Sequence, residues 1–146
     1  KEIVTPGFSA WNSIGFLVPK SAGATASSSS NRKYRLVVDF RQVNNRTESE
    51  LSAVPQFSEN LHFLNGAKCL SVLDLKLAYF SIPSTERAAK MMAFSAENEH
   101  QIMTKYLCSR MGMGHSNSPA HLNSLMATLL GKFRTFSTFY FDDVLI

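Results

Sequence analysis

Cysteine is scarce in this 146-residue chain, which holds Cys69 and Cys108 alone. They show neither CxxC nor any other metal-ligand spacing. A disulfide framework has no support, and a reducing, intracellular setting is the default expectation. Both thiols are expected to act as small core residues. No apolar run approaches the ~20 residues of a membrane span, so no membrane partner is expected. The opening Lys1-Glu2-Ile3-Val4-Thr5-Pro6 lacks a Met and the apolar core of a signal peptide. The expectation is that it starts inside a longer chain. Charged residues make up 18% and hydrophobic residues 45%, which argues against disorder and allows one domain with a real core. Internal repeats are absent.

Charge is unevenly placed. Residues 1–47 carry seven basic side chains against Glu2 and Asp39, a balance of +5. Residues 48–146 carry eight basic and nine acidic side chains, a balance of −1. On charge alone, an anionic partner such as phosphate and a plain solvated basic face are equally good readings.

Along the chain, Ser13–Lys20 reads as a short apolar strand, and Ser21–Asn31, with four consecutive serines, as a loop. Tyr34–Phe40 is β-branched and apolar, a second strand of one hairpin. Thr47–Phe57 has no period, and Pro55 favours an extended path. Ser58 is a candidate N-cap for a short helix that Gly66 ends. Lys68–Leu75 reads as a buried-type strand. Met91–Ser95 and Gln101–Leu107 flank a polar turn, another hairpin. Ser118-Pro119 opens a helix in which Leu122, Leu125, Met126, Leu129 and Leu130 form one apolar stripe, and Gly131 stops it. Thr138–Ile146 is an apolar strand interrupted by two aspartates. Hairpins outnumber βαβ units, so the fold class is α+β with a mainly antiparallel sheet packed by helices.

Two carboxylates, Asp142 and Asp143, sit inside the apolar run Phe139–Ile146. Buried unpaired charge is costly, so the pair needs a turn into solvent or a counter-ion. On this stretch alone a plain hairpin turn is the slightly better reading. Leu70–Leu75 repeats the anomaly, with Asp74 closing a second apolar strand. Were the strands neighbours, the three carboxylates would form a cluster that needs cations. Mg²⁺ favours such oxygens at about 2.0–2.1 Å and shares its remaining positions with water and phosphates. Two such ions roughly 4 Å apart can activate an attacking oxygen and stabilise a leaving one.

Asp74-Leu75-Lys76-Leu77-Ala78-Tyr79-Phe80 resembles the first catalytic motif of retroviral and LTR-retrotransposon reverse transcriptases. Tyr140-Phe141-Asp142-Asp143 resembles their Tyr-x-Asp-Asp motif. Met113–Ala120 is similar to the Phe-Gly-Leu-x-Asn-Ala-Pro segment of gypsy-type elements, and Arg35–Asn44 to the Arg-x-x-Val-Asp-Tyr/Phe-Arg-x-Leu-Asn motif of the fingers. Pro6–Lys20 resembles the lead-in strand that ends in a lysine. Four motifs in order cover nearly the whole chain. The sequence departs from the pattern at Gly112 and Met113, where proline and phenylalanine are usual, at His115, which replaces a leucine, and in the serine-rich insertion 21–31.

The resemblance implies the fingers and first part of the palm of a right-hand polymerase. Residues 1–66 would be fingers-like, with the hairpin at 13–41. Residues 67–146 would be palm-like, with some return to the fingers. It implies RNA-directed DNA polymerase activity on an RNA or DNA template with primer, using dNTPs and two Mg²⁺ ions, with Mn²⁺ as the alternative metal. Asp74, Asp142 and Asp143 would hold the metals, with the Leu75 backbone. Lys20, Arg35, Leu77, Ala78, Tyr79, Met113 and Gly114 would bind the dNTP, Tyr79 as a steric gate against the ribose 2′-hydroxyl. Arg41, Asn44 and Tyr140 would face template and primer, Arg41 otherwise supporting local structure. Full-length relatives carry a thumb, RNase H and integrase, so this piece alone is expected to be inactive. The implied location is cytoplasmic, in virus-like particles, with a nuclear stage. The rival readings are a degenerate copy that binds nucleic acid without catalysis, an RNA-templated RNA polymerase, which Tyr79 opposes, and a two-metal nuclease or phosphatase, which would not need the 35–44 motif.

Overall fold

The computed structural model describes residues 2–19, 34–50 and 65–146. Lys20, the serine loop and the helix expected from Ser58 lie outside the described residues.

The strands are β1 (Val4–Pro6), β2 (Ser13–Pro19), β3 (Tyr34–Val38), β4 (Val72–Asp74), β5 (Phe94–Glu97), β6 (Met103–Cys108), β7 (Thr138–Tyr140) and β8 (Asp143–Leu145). The helices are α1 (Arg41–Asn44), α2 (Ala78–Ser81), α3 (Glu86–Met91) and α4 (Ser118–Leu130), the last followed by a 3₁₀ turn at Gly131–Phe133. One sheet runs β1-β6-β5-β2-β3, and a second runs β4-β8-β7. Every strand pair is antiparallel except β2 with β5, which meet at Ser13↔Phe94 and Ile14↔Ser95. The expected α+β, mainly antiparallel architecture is what the chain adopts.

Each sheet has its own core. Phe40, Val43, Met92, Phe94 and Cys108 pack together near the five-stranded sheet, with Phe94 stacked on Tyr106 at 5.7 Å. Ala78, Met111, Leu122, Met126, Phe139 and Val144 pack between the three-stranded sheet, α2 and α4. Full burial of a side chain such as Phe94 or Leu122 contributes roughly 1.5–3 kcal/mol. Thr85 caps α3 by accepting from the Ala88 N–H at 3.2 Å. Among the described residues, no helix is long and apolar enough to cross a membrane.

Several local expectations are corrected. The expected strand 68–75 shortens to Val72–Asp74, and it is not buried: Val72 is 64% and Leu73 53% exposed. β4 is an edge strand of its sheet, so apolar composition here marks an edge and not a centre. Met91 ends a helix instead of opening a strand. The α4 stripe is narrower than expected, because Leu125 and Leu129 face outward and Leu122, Met126 and Leu130 face the core. The i, i+4, i+8 row suffices for a helix that packs on one side. Asn117, not Ser118, is the N-cap position. Gly131 does not stop the helix in a left-handed conformation but carries on at φ −55° into the 3₁₀ turn. Cys108 is buried as expected, whereas Cys69 is exposed.

Candidate active site

The apolar run 138–146 folds back on itself. β7 and β8 pair Thr138↔Leu145, Phe139↔Val144 and Tyr140↔Asp143, which leaves Phe141 and Asp142 as the tip. Phe139 and Val144 point inward and are 8% and 6% exposed, so period-two alternation turns Asp143 outward. β8 also pairs with β4, Asp74 directly opposite Asp143. The Leu75 N–H donates to the Asp142 carbonyl at 2.9 Å, and Ser71 and Ile146 exchange bonds of 2.8 and 2.9 Å at the far end. The three aspartates therefore share one end of one small sheet. Among the described residues, no ion pair or side-chain hydrogen bond occupies their carboxylates. Asp74 and Asp143 are exposed and Asp142 is half-buried.

Two of the three non-glycine residues at positive φ flank these aspartates. Leu77 (φ 57°) turns the chain from β4 into α2, and Phe141 (φ 54°) precedes Asp142. Such a backbone costs of order 1–2 kcal/mol per residue for an L side chain. Strain held beside a carboxylate cluster is a reason to suspect function there.

Just beyond Leu77, Ala78 is buried in the second core and Tyr79 packs against it. Burial pushes the Tyr79 phenol up, and the negative charge of Asp142 pushes it further. The Asp142 charge is therefore felt at the Tyr79 ring.

A second group gathers around Met113 and Gly114. Gly114 has φ +92° and lies against the Val38 carbonyl and the Phe40 ring. The Asn44 amide donates to the Gly114 carbonyl at 3.0 Å and accepts from the Ser116 N–H at 2.9 Å. His115 accepts from the Asn117 N–H through Nδ1 at 3.3 Å. Burial, and then the nearby His121, push the His115 imidazole below its usual range.

The cations stand elsewhere. Arg35 lies exposed on β3 opposite Val18. Arg41 forks onto Asp39 with bonds of 2.6 to 3.1 Å, and this guanidinium holds the Asp39 carboxyl down at about 2. Tyr140 meets the Phe141 ring edge-on at 4.7 Å. The fold thus brings together Asp74, Leu75, Tyr79, Tyr140, Asp142 and Asp143 in one group, and Asn44, Met113 and Gly114 in another. Asn117 and Ser118 were missed as contributors. Ser118 is wholly buried and donates to the Gly112 carbonyl at 2.8 Å. An asparagine just before a Ser-Pro helix start was the available signal.

The profile of the family described as reverse transcriptase (RNA-dependent DNA polymerase) matches residues 18–146. The chain belongs to the reverse transcriptase family. It is 29% identical to the retrovirus-related Pol polyprotein from transposon 412 of Drosophila melanogaster, across 99% of this chain and 11% of that polyprotein. It is 30% identical to the Pol polyprotein from transposon gypsy of the same fly, across 99% of this chain and 13% of that one. The Gag-Pol polyprotein of avian reticuloendotheliosis virus is 32% identical, with 99% and 12% covered. The chain therefore spans about an eighth of the length of these relatives. Among solved structures, the prototype foamy virus protease–reverse transcriptase superposes with a TM-score of 0.75 at 26% identity, covering 99% of this chain and 17% of that one. The foamy viral protease–reverse transcriptase in complex with dsDNA gives 0.73 at 26%, covering 99% and 27%. Reverse transcriptases generally use divalent metal ions.

Proposed function

We propose that this chain is the nucleotidyl-transfer portion of an RNA-directed DNA polymerase, adding dNTPs to a primer on an RNA or DNA template. The observation that carries the reading is the register of Asp74 opposite Asp143, tied by the Leu75–Asp142 bond, with Tyr79 packed against the core that holds Phe139 and Val144 of the same hairpin. The five-stranded sheet with α1 is the fingers part in this reading, and the three-stranded sheet with α2 and α4 the palm part.

The donor set suits Mg²⁺: hard carboxylate oxygens that make no ion pair among the described residues. Those residues hold no group of three acidic, histidine or cysteine side chains already drawn into a cage. Mg²⁺ does not require one, because it commonly takes one or two carboxylates and fills the rest with water and substrate phosphate. When bound, the metal lowers the cost of the attacking alkoxide and of the charge on the leaving pyrophosphate. Asp74 and Asp142 are the firmest ligands, with Asp143 and the Leu75 backbone beside them.

The protein's own part is positioning. Arg35 offers a forked donor set to triphosphate oxygens, and Lys20 a point charge. The Leu77 and Ala78 backbone meets the phosphates. Tyr79 lies under the sugar and excludes a 2′-hydroxyl. Met113 and Gly114 flank the nucleotide, and Arg41 and Tyr140 face template and primer, whereas the Asn44 amide is spent on Gly114 and Ser116. In the full-length protein, Asp142→Asn should abolish dNTP incorporation while leaving template–primer binding nearly unchanged. An unmutated full-length protein that binds template–primer but incorporates nothing would establish the non-catalytic reading instead.

A further inference from the structure

The stretch from Met111 to Asn117 crosses from one core to the other. Met111 is buried with Leu122 and Val144, whereas Gly112 and Gly114 lie against Phe40 of the other core. Two asparagines close this crossing reciprocally. Asn44, the last residue of α1, donates to the Gly114 carbonyl and accepts from the Ser116 N–H. Asn117, at the head of α4, donates to the Glu48 carbonyl at 2.9 Å and accepts from the Glu50 N–H at 3.1 Å. Each amide thus bridges the backbone on both sides of one residue of the other segment, residue 115 in one case and residue 49 in the other.

An amide meets this demand, and its two ends reach two backbone groups at once. Each side chain uses one donor and one acceptor at once, a combination that carboxylates and aliphatic groups lack. A second sign is independent. An asparagine at an N-cap ordinarily caps its own helix, but Asn117 makes no such bond in α4. Its amide is committed to the other segment.

We infer that Asn44 and Asn117 are a matched pair of positioning residues, whose reciprocal clamp fixes the Met113–Gly114 backbone against Phe40 and thereby sets the nucleotide pocket. This rests on the assignment of Met113 and Gly114 as nucleotide-flanking residues. The clamp joins the fingers-like part to the palm-like part at the point where the incoming nucleotide would sit. Its loss should therefore act on nucleotide affinity before it acts on nucleic-acid binding.

The test uses the full-length enzyme with Asn44→Ala, Asn117→Ala, the two Asn→Asp variants and the double Ala variant. Each Ala variant should raise the KM for dNTP roughly fivefold to tenfold, the size of one or two lost hydrogen bonds, with the Kd for template–primer unchanged within about twofold. The Asp variants keep the acceptor and should fall between. They also carry the test if an Ala variant fails to fold. The double variant should be no worse than the worse single one, because both act on one junction. Unchanged KM values in an active enzyme, single effects that multiply, or a shift in template–primer Kd alone would each overturn the clamp. If the unmutated enzyme incorporates nothing, the nucleotide-flanking assignment falls, and amide exchange decides the clamp by itself. Faster exchange at Ser116 in Asn44→Ala and at Glu50 in Asn117→Ala then supports it, and unchanged exchange refutes it.

Discussion

Adding the same methyl group at two glycines should have opposite effects. At Gly112 an added Cβ would stand 2.9 Å from Cε2 and 3.2 Å from Cζ of Phe40, with the Met92 sulfur at 3.9 Å. The Phe40 ring is 2% exposed and cannot swing aside. The Gly112 backbone cannot retreat freely either, because its carbonyl holds the buried Ser118 hydroxyl. Overpacking of this kind costs about 1–3 kcal/mol. At Gly131 an added Cβ meets nothing within 4 Å, and φ is −55°. Alanine there should stabilise by up to about 1 kcal/mol by narrowing the unfolded ensemble. Native-state amide exchange in the full-length protein reads both. A cost near 2 kcal/mol should speed exchange about 30-fold across β5 and β6, which pack on Phe40. Gly131→Ala should slow exchange in the last turn of α4. Phe40→Leu should recover part of the Gly112→Ala loss by removing the ring edge. Shifts of the same sign for the two glycines, or strictly additive effects of Gly112→Ala and Phe40→Leu, would refute the packing argument.

Asp142→Asn should lower the Tyr79 titration by removing the nearby charge, but burial should still hold it above the ordinary 10.0. Phenolate absorbance checks this, and an unmoved titration would separate the two groups. The raised value means that Tyr79's stabilising contribution is intact below pH 10.0 and fades as pH rises through the folded value. Arg41→Gln should return Asp39 from about 2 toward 3.8, read by carboxyl NMR titration. Because the folded value is the lower one, the pair's contribution is present above about pH 3.8 and is lost as pH falls toward about 2. A thiol reagent should modify exposed Cys69 and spare Cys108, whose thiol burial pushes up to about 11. Equal labelling by mass spectrometry under native conditions would contradict that burial.

Local pattern made much of the molecule readable from sequence alone. β-branched runs marked β2 and β3, a polar turn marked the β5–β6 hairpin, and Ser-Pro marked the head of α4. Asp74, Asp142 and Asp143 stood out because a charge inside an apolar strand is an anomaly in one dimension. The four-residue helices α1 and α2 are too short to show a 3.6-residue period, so they left no signal. Exposure was misread at Val72, Leu73 and Cys69, because apolar composition does not distinguish an edge strand from a central one.

What the sequence by itself determined was the set of acidic and cationic residue types and their order. Only the tertiary structure decided that Asp74 faces Asp143 and not a residue one step away. That register comes from strand pairing between segments some seventy residues apart, and a one-residue slip would turn every side chain to the other face. The same holds for Asn44 and Asn117. Each is an ordinary polar residue in sequence, and each becomes a clamp only because the fold brings the Asn44 amide to the backbone of Gly114 and Ser116 and the Asn117 amide to that of Glu48 and Glu50.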